Sequence, residues 1–289
     1  MALFVSQLFL LLQRVLPKRL LTALVHRLAQ IRQPAMKDWF IRGFLKLYDV
    51  NLDEVSKAVP GDFVSFNDFF TRELSTGSRP IDTSPSSIVA PADGFISAIG
   101  SIDENAIFQA KGLEYSIEDL LATDLDDARS YHNGSFATIY LAPFNYHRVH
   151  APLAGNLIAA RFVPGTLFSV NQIMVSKLRG IFTRNERLVC HISTGNGRYV
   201  LIFVGALNVG SITTPWTGQL RPRKGSVVDN IDLQSSNLST AVDKGDLLGW
   251  FNMGSTVIVL TQRKICEWQS GLKSGDTVRM GESIGRITT

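Results

Sequence analysis

Cysteine is scarce in this chain of 289 residues: Cys190 and Cys266 lie far apart and form no Cys-x-x-Cys or Cys/His pattern. That excludes a zinc cluster or a disulfide framework and leaves reduced, buried thiols as the expectation. Long apolar runs are scarce too. MALFVSQLFLLLQ is interrupted by Ser6, Gln7 and Gln13 and stops at Arg14, short of the roughly 20 residues that a spanning helix needs. It also lacks the basic start and small-residue cleavage site of a secretory signal, so none is expected. Acidic residues are missing from positions 1–37, which carry Arg14, Lys18, Arg19, Arg27, Arg32 and Lys37. The net charge of +4 is therefore +6 at this end and −2 over the remainder. Finally, no Gly-x-Ser-x-Gly elbow surrounds Ser255, which excludes a conventional α/β-hydrolase.

With 45% hydrophobic and 19% charged residues, the chain is neither disordered nor a polytopic membrane protein, and it can bury a sizeable core. In LPKRLLTALVHRLAQI, Leu20, Leu21, Leu24, Val25 and Leu28 fall on one helical face, and Lys18, Arg19, Thr22, His26 and Arg27 take the other. Two readings stand: a helix lying in the surface of an anionic bilayer, or one packed on the protein's own core with its charges solvated. KDWFIRGFLKLYDV (37–50) continues the helical pattern. SFNDFFTREL (65–74) predicts another helix, with Ser65 as N-cap and Asp68 at the third helical position. The Ser/Thr/Pro-rich stretch 75–87 then marks a boundary.

From residue 88 the pattern changes to short β-rich runs: GFISAIGSI, FATIYLAP, NLIAARFV, RLVCHIST, RYVLIFVGAL, STVIVLTQ and SIGRIT. One helix, SIEDLLATD (116–124), interrupts them, and 220–240 reads as a long loop or edge excursion. KGDLLGWF (244–251) and MGESIGRI (280–287) share a Gly-x-x-x-Gly frame, which suggests two similar hairpin turns. The fold class expected is α+β, with N-terminal amphipathic helices packed on a predominantly antiparallel, sandwich-like β core. The domain division expected is 1–74 for the helical region and 75–289 for the β-rich catalytic region.

Three segments hold polar residues that a purely structural role accounts for poorly. VAPADGFIS places Asp93 in a turn. YLAPFNYHRVHAPLAG clusters Tyr146, His147, Arg148 and His150 between prolines. FNMGSTVIVL sets Gly254-Ser255 at the mouth of a run, Val257 to Leu260, that must be buried. Asp, His and Ser can form a proton relay in any chain order. No third ligand lies near the histidine pair, so no metal is expected.

Taken together, PADG (91–94), YHRVHAP (146–152), VGALNVGSI (204–212) and MGST (253–256) resemble the phosphatidylserine decarboxylases, with SFNDFFTREL and SRPID resembling the N-terminal part of the membrane-bound bacterial form. The family's usual Leu-Gly-Ser-Thr appears here with Met253 in place of Leu, a volume-conserving change. The resemblance implies self-cleavage between Gly254 and Ser255 into chains 1–254 and 255–289. It also implies a covalent pyruvoyl group (pyruvate) made from Ser255, which forms a Schiff base with phosphatidylserine and yields phosphatidylethanolamine and carbon dioxide. Asp93 and His150 become the relay that activates Ser255, and His147 a candidate for substrate positioning or proton donation. Because that substrate is a lipid, the resemblance favours the bilayer reading of the N-terminal helices, an anionic membrane partner, and peripheral residence on the cytoplasmic side of the cell membrane. It allows a homodimer of the cleaved pair and gives no role to nucleic acid. FVPGTLFSVN, with Phe162, Leu167 and Phe168, is a candidate wall of the lipid pocket or else a β turn with core aromatics. Rival readings are a lipid-directed serine hydrolase or acyltransferase using Asp93, His150 and Ser255, and a non-enzymatic membrane-associated binding protein.

Overall fold

The computed structural model describes residues 16–288 apart from Asp124, Val209, Gly210, Arg223, Lys224, Ser226, residues 235–238 and Ser255. The apolar stretch MALFVSQLFLLLQ therefore lies outside the described residues.

Burial explains the centre of the fold. Six consecutive buried residues, Thr256–Thr261, require neighbours on both edges and both faces. They find them in an antiparallel nine-stranded sheet. Its order is Asp229–Ile231, Gly155–Val163, Arg187–Thr194, Gly197–Val204, Thr256–Thr261, Ser135–Tyr140, Gly94–Ser101 and Thr277–Val278, with Ala241–Val242 also paired to Gly155–Val163. Thr256 stands opposite Val204 on one side and Tyr140 on the other. A four-stranded sheet, Gly218–Leu220, Ile212–Thr214, Leu247–Phe251 and Arg148–His150, packs against this one, with the rings of Phe203 and Phe251 5.4 Å apart. A three-stranded sheet joins Ser87–Val89, Ser283–Ile287 and Cys266–Trp268. The α+β class and the antiparallel core are as expected. Within 220–240, Asp229–Ile231 is an edge strand. Both cysteines are free and buried.

The Gly-x-x-x-Gly echo is a repeated piece of backbone. Gly245 and Gly281 both adopt φ +89°, a left-handed geometry that suits glycine. The Gly245 N–H donates to Ala151 O (2.9 Å), and the Gly281 N–H to Ala90 O (3.0 Å). Ala151 and Ala90 each precede a proline, and the two segments cross-bond: His150 N–H to Pro91 O at 2.7 Å, Val89 N–H to Pro152 O at 3.1 Å. This pairing carries the Asp93 turn alongside the His150 strand.

Three N-terminal helices form a layer: Lys18–Ala29, Pro34–Leu47 and Phe66–Phe70. Ser65 Oγ accepts from Asp68 N–H at 3.1 Å, so the cap is where the sequence places it. The helix is shorter than 65–74 because Arg72 turns inward and donates to Phe144 O at 2.8 Å. Ile41, Val55, Phe63, Phe66, Phe69 and Phe70 form a second core, against which Met253 packs. The helical layer thus reaches the mouth of the central strand.

Helix Lys18–Ala29 docks the opposite way round from an ordinary amphipathic helix. Its buried residues are Thr22 and Ala29. Thr22 Oγ1 accepts from Asn208 N–H (3.2 Å), and Arg19 donates to Gly165 O (3.0 Å). Leu20 and Leu24 are 70% and 54% exposed. Polar groups hold this helix to the protein, and Leu20, Leu24 and Leu28 face outward. No helix among the described residues is long and apolar enough to cross a membrane.

Candidate active site

Ser255 lies outside the described residues, and its chain neighbours define the site. Upstream, the Asn252 amide anchors the chain: Nδ2 donates to Ser211 Oγ (2.7 Å) and Thr213 Oγ1 (2.8 Å), and Oδ1 accepts from Asn67 Nδ2 (2.9 Å). Downstream, Thr256 enters the sheet. Between them Met253 takes φ +103°, a conformation costly for a side-chain-bearing residue and typical of sites where geometry serves chemistry.

His147 faces this turn and is fully buried. Its Nδ1 lies 2.8 Å from Asn145 O; a carbonyl accepts only, so Nδ1 carries the hydrogen and Nε2 the lone pair. That Nε2 has no partner among the described residues and sits 3.4 Å from where a Cβ on Gly254 would be. The ring lies against Phe70, centroids 4.0 Å apart. Burial, helped by the Arg72 cation, holds the His147 pKa down at about 3. The imidazole is therefore neutral, with a bare acceptor turned to Gly254.

His150 is engaged at both nitrogens. Nδ1–H donates to Gly245 O at 2.8 Å, and Nε2 accepts from the Tyr146 hydroxyl at 3.0 Å. Burial lowers its pKa, against the Gly245 carbonyl and the Asp93 charge, which raise it. The Asp93 carboxylate, buried, accepts from Arg79 Nε (2.9 Å) and NH2 (2.6 Å) and from Met280 N–H (2.9 Å). Arg79 also holds Glu54 at 2.8 Å. The fold thus brings Asp93 and His150 onto adjoining segments, while the hydrogen bonds of Asp93 go to Arg79 and the Met280 N–H and its effect on the imidazole is through charge.

The candidate lipid-pocket wall divides. Phe162 and Leu167 are core residues, and Phe168 lies under the Lys18 ammonium, 4.4 Å from its ring centroid. Arg79 escaped notice among the site residues although it stands inside SRPID; a cation required beside a buried carboxylate was the available signal. Glu186 escaped too, since in RNERLV it reads as the solvated start of a strand, yet it is fully buried.

Comparison with known proteins bears on the same residues. A family model described as phosphatidylserine decarboxylase matches residues 66–286, and a second, described as PSD, matches residues 8–49. A phosphatidylserine decarboxylase proenzyme of Psychrobacter arcticus is 46% identical over 277 residues, covering 96% of this chain and 97% of its own. The proenzyme of Methylococcus capsulatus is 42% identical, covering 99% and 98%, and that of Bordetella pertussis 43%, covering 97% and 95%. With 96–99% of its length matched by these relatives, and with Met253 and Gly254 leading toward a central buried strand beside His147, the chain belongs to the phosphatidylserine decarboxylase family.

Proposed function

We propose that the chain is a proenzyme that cuts itself between Gly254 and Ser255, turns Ser255 into a pyruvoyl group, and decarboxylates phosphatidylserine to phosphatidylethanolamine. The observation that carries this reading is the bare, buried Nε2 of His147 turned to Gly254 at the mouth of the central strand.

In the first stage the Ser255 hydroxyl attacks the Gly254 carbonyl and an N-to-O acyl shift gives an ester. Elimination then frees chain 1–254, and hydrolysis of the resulting dehydroalanine releases ammonia and leaves the pyruvoyl end. A serine hydroxyl needs a base. His150 takes that role, with Asp93 favouring its protonated form by charge; because Tyr146 occupies Nε2, the proton passes through that hydroxyl or the bond opens first. Chain 255–289 stays attached, since Thr256–Thr261 is hydrogen-bonded on both edges to strands of the larger chain.

The surroundings suit a small carbonyl-bearing group: His147 Nε2 and Thr256 Oγ1 are both buried without partners among the described residues. A carbonyl held between these residues would supply an electrophile for a primary amine and a sink for the electron pair left by departing carbon dioxide. His147 Nε2 positions the substrate by accepting a hydrogen from its amine. The region 1–74 serves as the membrane-associating part and 75–289 as the catalytic part. Leu20 and Leu24, with Trp39 71% and Leu47 79% exposed, supply the apolar side chains by which the protein rests on the cytoplasmic face of the cell membrane, and exposed Arg27 and Arg32 meet anionic headgroups.

Intact-mass spectrometry and a denaturing gel test this. Two chains, the smaller lacking a free amino terminus, are expected from the wild type, and a single chain from Ser255→Ala. A wild type that remains one polypeptide while releasing carbon dioxide from phosphatidylserine vesicles would refute it.

A further inference from the structure

A buried carboxyl with no partner stands at the end of the ladder that Thr256 joins. Glu186 has no exposed surface, and neither of its carboxyl oxygens has a hydrogen-bond partner among the described residues. An isolated buried carboxylate is costly, so such a group persists as a neutral acid. Burial pushes its pKa up to about 8; the one charge acting on it among the described residues, Arg19 of helix Lys18–Ala29, works in the other direction.

The register shows where that acid faces. Leu188, Phe203, Val257 and Ile139 form one rung across four strands, and Phe203 meets Phe251 of the four-stranded sheet. Strand side chains alternate between faces, so two residues along, positions 186 and 205 return to the same inter-sheet face. The Gly205 N–H donates to Glu186 O at 2.8 Å, so pairing continues to this point. Position 205 carries no side chain, and Glu186 Oε1 lies 3.3 Å from where a Cβ there would be. The carboxyl lies over Gly205, the residue that follows Val204, and Val204 pairs with Thr256. His147 brings a bare acceptor to that same strand end and, being neutral, has no proton to give from Nε2. Two groups with pKa values driven to opposite useful extremes mark an acid and an acceptor.

We propose that Glu186 is the catalytic acid of the decarboxylation, delivering its carboxyl proton to the α-carbon of the serine headgroup of the substrate. This rests on the decarboxylase reading. The bond from the α-carbon to the carboxylate breaks, carbon dioxide leaves, and the electron pair stays with the substrate. The α-carbon then forms a C–H bond with the Glu186 proton, and Glu186, now a carboxylate, takes a proton from water on product release.

Glu186→Gln keeps the volume and removes the acid. In the Ser255→Ala proenzyme, which makes no pyruvoyl group, difference infrared spectroscopy should show the carbonyl stretch of a protonated carboxylic acid at neutral pH. The band should fade as pH rises through about 8 and be missing after Glu186→Gln. In the maturing enzyme, Glu186→Gln should still cut into two chains, lose about 100-fold or more in kcat on phosphatidylserine vesicles, and lose the alkaline limb of the pH profile. Glu186→Asp, with the acid retained but withdrawn, should keep that limb at reduced rate; it is also the variant to use if Glu186→Gln does not fold. An ionised Glu186 at neutral pH, or a Glu186→Gln enzyme with wild-type kcat and limb, overturns the inference alone. A wild type that neither cuts itself nor decarboxylates overturns the decarboxylase reading, and the inference with it.

Discussion

Arg79 shows what a single buried charge does here. It sits between Asp93 and Glu54 at 2.6 and 2.8 Å, with 8% of its side chain exposed. Removing one member of a buried ion pair leaves the other uncompensated and costs about 3–5 kcal/mol. Arg79→Ala should therefore lower the unfolding free energy by that order in urea titration, and Arg79→Ala with Asp93→Asn should recover part of it. Glu186 makes the opposite kind of statement. Its pKa rises from an ordinary 4.5 to about 8 on folding, so between those values the folded state holds a proton that the unfolded chain has lost. Stability must then fall as pH rises from about 4.5 toward 8 and level off above. Thermal melts of wild type against Glu186→Gln should show the wild type losing ground across that interval; parallel curves would mean that the carboxyl is ionised.

At the scale of elements, the strand ends and the first helix carry the argument. A Cβ at position 205 would meet Glu186 Cγ at 2.9 Å and its backbone O at 3.2 Å, so Gly205→Ala should displace the carboxyl, whose side chain is the part freest to move. Misplacement of a reacting group by an ångström costs about 100-fold in rate. Turnover on phosphatidylserine vesicles should fall by that order while the two chains still appear on the gel. The helix Lys18–Ala29 makes a separate prediction. Burying a leucine is worth about 1.5–3 kcal/mol, so Leu20→Ser with Leu24→Ser should weaken sedimentation with anionic vesicles at least about tenfold. Folding should be untouched, since these side chains are exposed at 70% and 54%. The strands were legible because their apolar runs are bounded by Gly, Pro and Asn. The helix was legible as a helix, but which face docks was not: periodicity reports that two faces differ, and Thr22 and Arg19 show that the polar one holds the protein.

Over the whole molecule, two cores meet at one turn. The helical core of Phe66, Phe69 and Phe70 takes Met253, and the large β core takes Val257 to Leu260. Gly254 lies between them, where the Asn252 amide network and the sheet fix the chain on either side. Taken alone, the sequence determined the family, the antiparallel β-rich core and the Gly-Ser step ahead of a buried strand, because local patterns and short motifs are written in consecutive residues. Only the tertiary structure decided that Asp93 bonds Arg79, that Tyr146 occupies His150, that His147 keeps a bare nitrogen, and that Glu186 is buried without a partner. The partners of Asp93 lie 14 and 187 positions away, the Tyr146–His150 bond depends on how the strand is held even though the two are four apart, and burial is a property of the assembled layers that no window of sequence contains.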